Sequence, residues 1–376
     1  MIGILRKVFK RSFTPLNLIY ISKERLVENY RELSSVNPEI KIAPVLKSNA
    51  YGHGIRLAGK ILDNVGAPFL CVDSLYEAFQ LYSKSKIDTP ILIMGYIDPK
   101  SLQVKKLPFS FAIYDYEHAR VLNEYQKGAR VHIFVDTGMN REGVRMEGFS
   151  DFLKKLKELK NIEVEGLMSH LADPAHADAA LTKMQLSNFQ KARDLVATAG
   201  LKPKWFHIGG SYGLLNKLAA GCNLVRVGRA IYGIDNMDSK LNLKLKPALK
   251  HTSKIVQIKK IKKGDTVGYN GSFKAKQDMV IGILPLGYND GVDRRLSDKG
   301  VVTVGGVKCP IIGLVSMNIT TIDMTAVKEP VLGQIAVVYS DNAKDENSVV
   351  NMSKAGGVLP HEMLIHIAES TKRVVV

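Results

Sequence analysis

The sequence predicts an α/β chain in which a (β/α)8 TIM-like barrel is followed by a C-terminal mostly-β domain. Short apolar runs alternate with amphipathic stretches through the first two-thirds of the chain, as in parallel βαβ units. Eight such units follow an opening strand, which favours a closed barrel over an open doubly wound sheet. The pattern becomes mainly strand-like after Lys246–Pro247.

In the first part, β-branched apolar runs predict strands, and apolar residues spaced three and four apart predict helices. The strands are Leu18–Ile21, Lys41–Leu46, Phe69–Val72, Ile91–Met94, Phe109–Tyr114, Arg130–Asp136, Val164–Ser169, Trp205–Ile208 and Leu224–Val227. The helices include Ser22–Ser34, Tyr116–Gln126, Phe149–Leu159 and Leu181–Ala199. We therefore assign residues 16–247 to the barrel and residues 1–15, which hold four basic groups and no acid, to a disordered tail.

Residues 248–376 are predicted to form an all-β domain. Its strands are Ser253–Ile261, Met279–Leu286, Val301–Val315 and Gln334–Ser340. Within the third of these, Gly305–Gly306 lies between alternating residues and indicates a hairpin turn.

Composition excludes several classes of protein. The 376 residues are 45% hydrophobic, which excludes a disordered or fibrous chain, and no apolar run approaches the ~18 residues of a membrane helix. Three distant cysteines without a CxxC pair favour a reducing, cytoplasmic location and argue against a disulfide framework or metal site. The net charge is +17, but no nucleic-acid-binding motif accompanies the lysines, so we expect a charged surface and no nucleic-acid partner.

Lys47 is the first candidate for chemistry, in the segment VLKSNAYGHG. It directly follows an apolar strand, at the carboxyl end where barrel enzymes place their active sites. A lysine in a desolvated pocket has a lowered pKa, and its neutral amine can form a Schiff base with an aldehyde. An isolated strand-end lysine is more often simply solvated, so this residue alone leaves both interpretations open.

The segment VLKSNAYGHG closely resembles the pyridoxal-phosphate-binding signature of alanine racemases, and the resemblance extends over nearly the whole chain. It implies an isomerase that interconverts L-alanine and D-alanine through a pyridoxal-phosphate aldimine and supplies D-alanine for peptidoglycan. Lys47 would carry the cofactor. The resemblance also implies a set of phosphate-binding groups, which are Tyr51, Ser211, the amides near Gly228 and Arg229, and His361 near the C-terminus.

The same resemblance assigns the catalytic residues. Arg226 would contact the pyridine nitrogen, and because a guanidinium only donates hydrogen bonds, that nitrogen would stay unprotonated and racemisation would be favoured. Lys47 and Tyr269, in VGYNGSF, would serve as bases on opposite faces of the α-carbon. His170 would bridge Tyr269 and Arg226. Tyr269 would reach the neighbouring subunit's site, which implies a homodimer with shared active sites.

For the substrate, the resemblance implies that Arg141 steers the carboxylate, that the Met317 amide adds a contact and that Tyr288 lines the entrance. The chain departs from the family where Phe134 replaces a lysine that becomes carbamylated and orients this arginine. Other departures are Asn318, Gly210 and His361, and together they leave open a broader range that includes serine. The alternatives are a pyridoxal-phosphate carrier, which would lack Val267–Phe273, and a decarboxylase, which would pair the pyridine nitrogen with a carboxylate.

Overall fold

The computed structural model describes residues 14–216, 218, 221–234, 241 and 243–376. The predicted basic tail lies mostly outside this range. The described residues form two compact units, one of residues 22–248 and one that joins residues 14–21 to residues 249–376. No helix in these described parts is long and apolar enough to cross a membrane.

The first unit alternates strands and helices. Its strands are β2 Lys41–Pro44, β3 Leu70–Val72, β4 Ile91–Ile93, β5 Ser110–Ile113, β6 Ala129–Asp136, β7 Val144–Arg145, β8 Ile162–Met168, β9 Trp205–His207 and β10 Leu224–Val227. Its helices are α1 Lys23–Ser35, α2 Ile55–Leu62, α3 Leu75–Phe79, α4 Pro99–Val104, α5 Tyr116–Tyr125, α6 Phe149–Leu156, α7 Ala180–Thr198 and α8 Ser211–Leu215. Each strand and helix predicted for this region is present, with bounds shifted by a few residues.

The strands form an α/β barrel. Strands β3–β4–β5–β6–β8–β9 make one curled, parallel ladder, and β10 pairs with β2 separately. Between these two sheets there are isolated hydrogen bonds, from Leu46 N to the Cys71 carbonyl at 2.8 Å and from Asn223 N to the Phe206 carbonyl at 3.2 Å. The fully closed ring predicted from the sequence is therefore not seen as a continuous ladder in the described residues. The physical reason is that β3 and β9 are only three residues long and offer few ladder bonds.

Local sequence explains where the helices begin. The side chains of Ser22, Ser74 and Asp115 accept hydrogen bonds from the backbone N–H three residues later, as N-caps of α1, α3 and α5. Apolar residues spaced along one face then bury against the strands, as Phe149, Phe152, Leu153 and Leu156 do in α6. The barrel core contains Ala43, Val45, Phe69, Cys71, Leu92, Trp205 and Leu224.

The second unit is mainly β. It has strands β1 Asn17–Ile21, β11 Leu249–Lys254, β12 Gln257–Ile261, β13 Thr266–Val267, β14 Phe273–Lys274, β15 Met279–Leu284, β16 Val301–Val304, β17 Val307–Pro310, β18 Thr320–Asp323, β19 Ile335–Tyr339 and β20 Arg373–Val375. They form a six-stranded sheet in the order β17-β16-β19-β11-β1-β20, a three-stranded sheet β12-β15-β18 and the pair β13-β14. The hairpin at Gly305–Gly306 is confirmed, since Val304 pairs with Val307 and both glycines have positive φ.

Three features of this unit differ from the sequence expectations. The predicted strand Ser253–Ile261 is divided between β11 and β12, which lie in different sheets because the Ile255 amide donates to Gln334 and the Val256 amide to Ile283. Strand β1 was assigned with the barrel, but its Ile19 and Ile21 are fully buried and it pairs with β11 and β20. The all-β expectation also missed two helices, α9 Val349–Gly356 and α10 Pro360–Ile365. Ser348 caps the first and Pro360 occupies the first turn of the second, so local helix-starting signals were present.

Candidate active site

A cavity of about 450 Å³ opens at the carboxyl ends of the barrel strands. This is the end at which barrel enzymes carry their active sites. Its lining holds all the barrel residues predicted for the site, namely Lys47, Tyr51, Arg141, His170, Ser211, Arg226, Gly228 and Arg229. In the described residues, no three His, Cys, Asp or Glu side chains converge to hold a metal ion.

Residues 48–51, within the segment VLKSNAYGHG, form a left-handed turn. Ser48, Asn49, Ala50 and Tyr51 all have φ between 52° and 54°, a region that costs ~1–2 kcal/mol for each non-glycine residue. Two hydrogen bonds to the turn, one of them from a residue distant in sequence, offset this cost. Ser48 N donates to Glu77 Oε1 at 2.6 Å, and Ile55 N donates to Asn49 Oδ1 at 2.8 Å. The turn places Lys47 and Tyr51 on the same cavity.

Lys47 lies 3.8 Å from Asp73, measured from Nζ to Oδ1, and its side chain is 42% exposed. From the sequence we expect a largely desolvated lysine, and the structure differs on this point. Asp73 directly follows β3 and lines the same cavity. Sequence reasoning missed Asp73, although its position after a strand was a usable signal.

Tyr51 is packed tightly against the loop that follows β10. Its ring lies 5.3 Å from that of Tyr232, and a Cβ at Gly228 would come within 2.8 Å of Tyr51 Cζ. Burial raises the pKa of Tyr51 to about 12, against a smaller lowering by Arg229, so its hydroxyl stays protonated and can donate. Nearby, the Ser211 hydroxyl lies 3.5 Å from Ala230 N.

Arg226 is 5% exposed and is held by four hydrogen bonds. Nη1 donates to His207 Nδ1 at 2.6 Å and to the His207 carbonyl at 3.2 Å, while Nη2 donates to the Ser169 carbonyl at 2.7 Å and to His170 Nδ1 at 3.3 Å. Burial, with the charges of Arg226, Arg141 and Lys47, lowers the pKa of His170 to about 3. His170 is therefore neutral.

Arg141 is half-exposed and already has a carboxylate partner. Its Nε and Nη2 donate to Glu142 Oε2 at 3.1 and 3.0 Å. Glu142 was not singled out in the sequence. Phe134, where the resemblance led us to expect an orienting lysine, lines the cavity and packs on Tyr114 with ring centroids 5.5 Å apart.

The remaining predicted residues lie in the second unit. Tyr269, Tyr288 and Met317 are 67%, 38% and 57% exposed. One segment links them: Leu314 N donates to Ser272 Oγ in the Tyr269 turn, and Tyr288 N donates to the Ser316 carbonyl beside Met317. His361 lies elsewhere, in the first turn of α10. The structure thus gathers Tyr269, Tyr288 and Met317 on one part of this unit.

Known proteins match this chain in both of its units. The sequence profile of the alanine racemase N-terminal domain matches residues 21–236, and that of the C-terminal domain matches residues 248–375. The alanine racemase of Citrifermentans bemidjiense is 32% identical over 343 residues, which cover 88% of this chain and 89% of that protein.

Two solved structures show the same fold. The alanine racemase from Bacillus anthracis with bound L-Ala-P is 27% identical, with a TM-score of 0.89 over 97% of this chain and 96% of that one. The alanine racemase from Bartonella henselae with covalently bound pyridoxal phosphate is 24% identical, with a TM-score of 0.83 over 96% of this chain and 100% of that one.

These matches define the class of protein, an α/β barrel followed by a C-terminal β domain. The chain belongs to the alanine racemase family. Its function is that of an alanine racemase, an isomerase.

Proposed function

We propose that this chain racemises alanine with pyridoxal phosphate, using Lys47 and Tyr269 as the two bases. The observation that carries the proposal is the buried Arg226, held by acceptors on two sides in a cavity that also holds Lys47. A guanidinium is always protonated and cannot accept a hydrogen bond. It would therefore leave a facing ring nitrogen without a proton, which favours racemisation over transamination.

The cavity residues fit the cofactor. Pyridoxal phosphate is an aldehyde with a dianionic group, and the cavity offers one primary amine, Lys47, together with the cations Arg226 and Arg229. Lys47 would hold the cofactor covalently. Tyr51, Ser211 and the backbone near Gly228 would hold its phosphate, and Gly228 supports this because its missing side chain leaves the Tyr51 hydroxyl at the loop. When bound, the cofactor supplies an electron sink for the α-carbanion.

His170 would prepare Tyr269 to accept a proton. Because Arg226 can only donate, His170 Nδ1 must be the bare nitrogen of a neutral ring, and its proton must lie on Nε2. An Nε2–H donor beside the tyrosine oxygen stabilises the phenolate form, which is the form that acts as a base. Lys47 would handle the proton on the other face of the α-carbon.

We further propose that two copies of the chain complete each active site, with Tyr269, Met317 and Tyr288 supplied by the partner. The exposure of these side chains in the single chain supports this proposal, because each large apolar surface would then be covered. Arg141 would bind the substrate carboxylate, and His361 would close the phosphate side.

A mixing experiment tests the shared site. Inactive Lys47→Ala and Tyr269→Phe proteins are combined under conditions that exchange subunits, verified with tagged chains. Hybrid dimers contain one site with both residues intact, so activity should return. Complete exchange without activity would refute the shared site.

Two measurements test the chemistry itself. Borohydride reduction of the holoenzyme followed by peptide mapping should find the cofactor on Lys47; attachment to another lysine would exclude this assignment. In deuterated water, Tyr269→Phe should still exchange the α-proton of D-alanine, whereas exchange into L-alanine should fall by about 100- to 10,000-fold. Equal residual exchange would exclude a two-base mechanism.

The biological setting is also proposed. The product D-alanine would supply peptidoglycan, and three free cysteines support a reducing, cytoplasmic location.

We also propose that the curled sheet and the β10–β2 pair act as one eight-stranded barrel. Chiral chromatography of reactions with L-alanine and L-serine gives the substrate range.

A further inference from the structure

A line of polar side chains, of which Arg226, His207 and His132 are buried and Glu165 is partly buried, leads from Arg226 into the barrel interior. Arg226 Nη1 lies 2.6 Å from His207 Nδ1, His207 Nε2 lies 2.8 Å from His132 Nδ1, and His132 Nε2 lies 3.3 Å from Glu165 Oε2. We propose that these four residues form a hydrogen-bonded relay in which Glu165, remote from the reacting atoms, is a positioning residue that fixes where the guanidinium of Arg226 lies. This inference rests on the proposed role of Arg226.

The chemistry of the first member sets the direction of every bond. Arg226 only donates, so His207 Nδ1 accepts and the proton of this neutral ring lies on Nε2. His207 Nε2 then donates to His132 Nδ1, which places the His132 proton on Nε2, facing Glu165. An ionised carboxylate can only accept, so it completes the chain without conflict.

The pKa directions agree with this assignment. Burial lowers the pKa of both His132 and His207, so both rings are neutral. Burial alone would raise the pKa of Glu165, but hydrogen bonds from His132 and Ser110 and the charge of Arg130 outweigh it and lower the pKa. Glu165 is therefore ionised and offers acceptors only.

The backbone is shaped to make these contacts. In the β6–β8 ladder Val131 pairs with Val164 and His132 with Gly166, so Glu165 is the extra residue of a β-bulge. Bulges redirect a side chain, here towards the barrel interior, where Glu165 also accepts from Ser110 Oγ at 2.8 Å. A Cβ at Gly166 would come within 2.8 Å of His132 Cγ, so only glycine leaves room for this ring.

The relay stabilises the buried positive charge of Arg226. Within the described part of the chain, no carboxylate lies at salt-bridge distance from the buried Arg226. An unpaired buried cation is costly, and neutral rings polarised towards Glu165 stabilise it without adding a second acceptor beside the cofactor. A carboxylate in direct contact would compete for the guanidinium hydrogens.

The first test determines the tautomers in the holoenzyme by NMR of ¹⁵N-histidine-labelled protein, with assignments from His132→Gln and His207→Gln. We expect both rings to be neutral, with a proton on Nε2 and a bare Nδ1. A proton on Nδ1 of either ring, or a charged ring near pH 7, would overturn the relay. This measurement needs no substrate, so it does not depend on the proposed function.

The second test uses Glu165→Gln, with Glu163→Gln on the same strand as the matched exposed control. A carboxamide oxygen can still accept from His132 Nε2, so Arg226 continues to fix the tautomers, but the negative charge at the end of the relay is lost. We expect unchanged tautomers and a kcat lower by up to about 100-fold, because Arg226 is held less firmly. We also expect a higher ratio of pyruvate released to alanine racemised, because a displaced Arg226 no longer keeps the ring nitrogen unprotonated. Thermal stability and cofactor content are measured alongside.

The outcomes separate the two proposals. An unchanged pyruvate ratio in folded, cofactor-loaded Glu165→Gln would overturn the positioning role, whatever the tautomers. If the variant does not fold, the tautomers of the unaltered enzyme decide the matter. Expected tautomers in a protein that fails to racemise alanine would instead refute the proposed function and leave the relay standing.

Discussion

A Cβ atom at position 228 would lie 2.8 Å from Cζ of Tyr51, so the loop after β10 and the tyrosine ring are in direct contact only because residue 228 is glycine. The ring cannot retreat easily, since it is partly buried against the barrel core and packs on Tyr232. We infer that Gly228 and Tyr51 together set the shape of the phosphate-binding side.

Gly228→Ala should therefore weaken cofactor retention. Overpacking costs ~1–3 kcal/mol, which corresponds to a rise of about 5- to 150-fold in the dissociation constant of pyridoxal phosphate. Equilibrium dialysis measures it. Gly210→Ala is the matched control in the neighbouring loop, since its Cβ would meet the Arg226 carbonyl at an ordinary 3.5 Å. Equal retention by both variants would contradict the prediction.

The left-handed turn makes residue 48 sensitive to side-chain shape. Ser48 has φ 54°, which a β-branched residue tolerates poorly and glycine adopts freely. Ser48→Val should lower the free energy of unfolding by about 1–2 kcal/mol, whereas Ser48→Gly should leave it unchanged or raise it slightly. Urea denaturation midpoints give both values, and a Val variant as stable as the Gly variant would show that the turn is not strained.

Glu142 should compete with the substrate for Arg141. Because both side chains are about half-exposed, the pair is worth only ~0–1 kcal/mol after solvent screening. Glu142→Gln should accordingly lower KM for alanine by up to about fivefold and leave kcat nearly unchanged. Glu147→Gln, which alters the exposed pair with Arg145, is the control. A KM that does not fall would mean that Arg141 is equally available in both proteins.

Buried histidines should make the fold sensitive to acid. Burial and the charge of Arg373 lower the pKa of His251 from 6.5 to about 3, so this ring is neutral when folded and takes up a proton on unfolding below pH 6.5. The unfolded state binds more protons there, so stability is full above pH 6.5 and falls as pH falls towards 3, by ~1.4 kcal/mol per pH unit.

His251→Leu should weaken the pH dependence of the free energy of unfolding between pH 6 and pH 4 by ~1.4 kcal/mol per pH unit, the contribution of one proton. Denaturant titrations at several pH values measure this dependence. An unchanged slope in His251→Leu would mean that His251 binds its proton equally in both states.

Periodicity predicted the barrel strands and the Gly305–Gly306 hairpin, because these depend on nearby residues. The position of Lys47 at a strand end was predictable for the same reason. The left-handed turn was not, since four consecutive non-glycine residues adopt it with the help of Glu77, distant in sequence.

The relay could not be predicted from the sequence either. The relay forms only when three separate strands align and bring together His132, Glu165 and His207. The β-bulge that turns Glu165 inward has no local sequence signal. Strand β1 was recognised as a strand, but its sheet partners are remote residues that periodicity cannot identify.

The pairing of β1 has a consequence for how the chain matures. Asn17 lies opposite Ser253, 236 positions later, and Ile19 lies opposite Arg373, so the strand emerges from the ribosome long before either neighbour exists. The 22–248 unit is synthesised in that interval and can fold first, because its contacts are all available. β1 stays unpaired until β11 is made, and its second edge stays open until β20 arrives, so this apolar strand is exposed to aggregation during that interval.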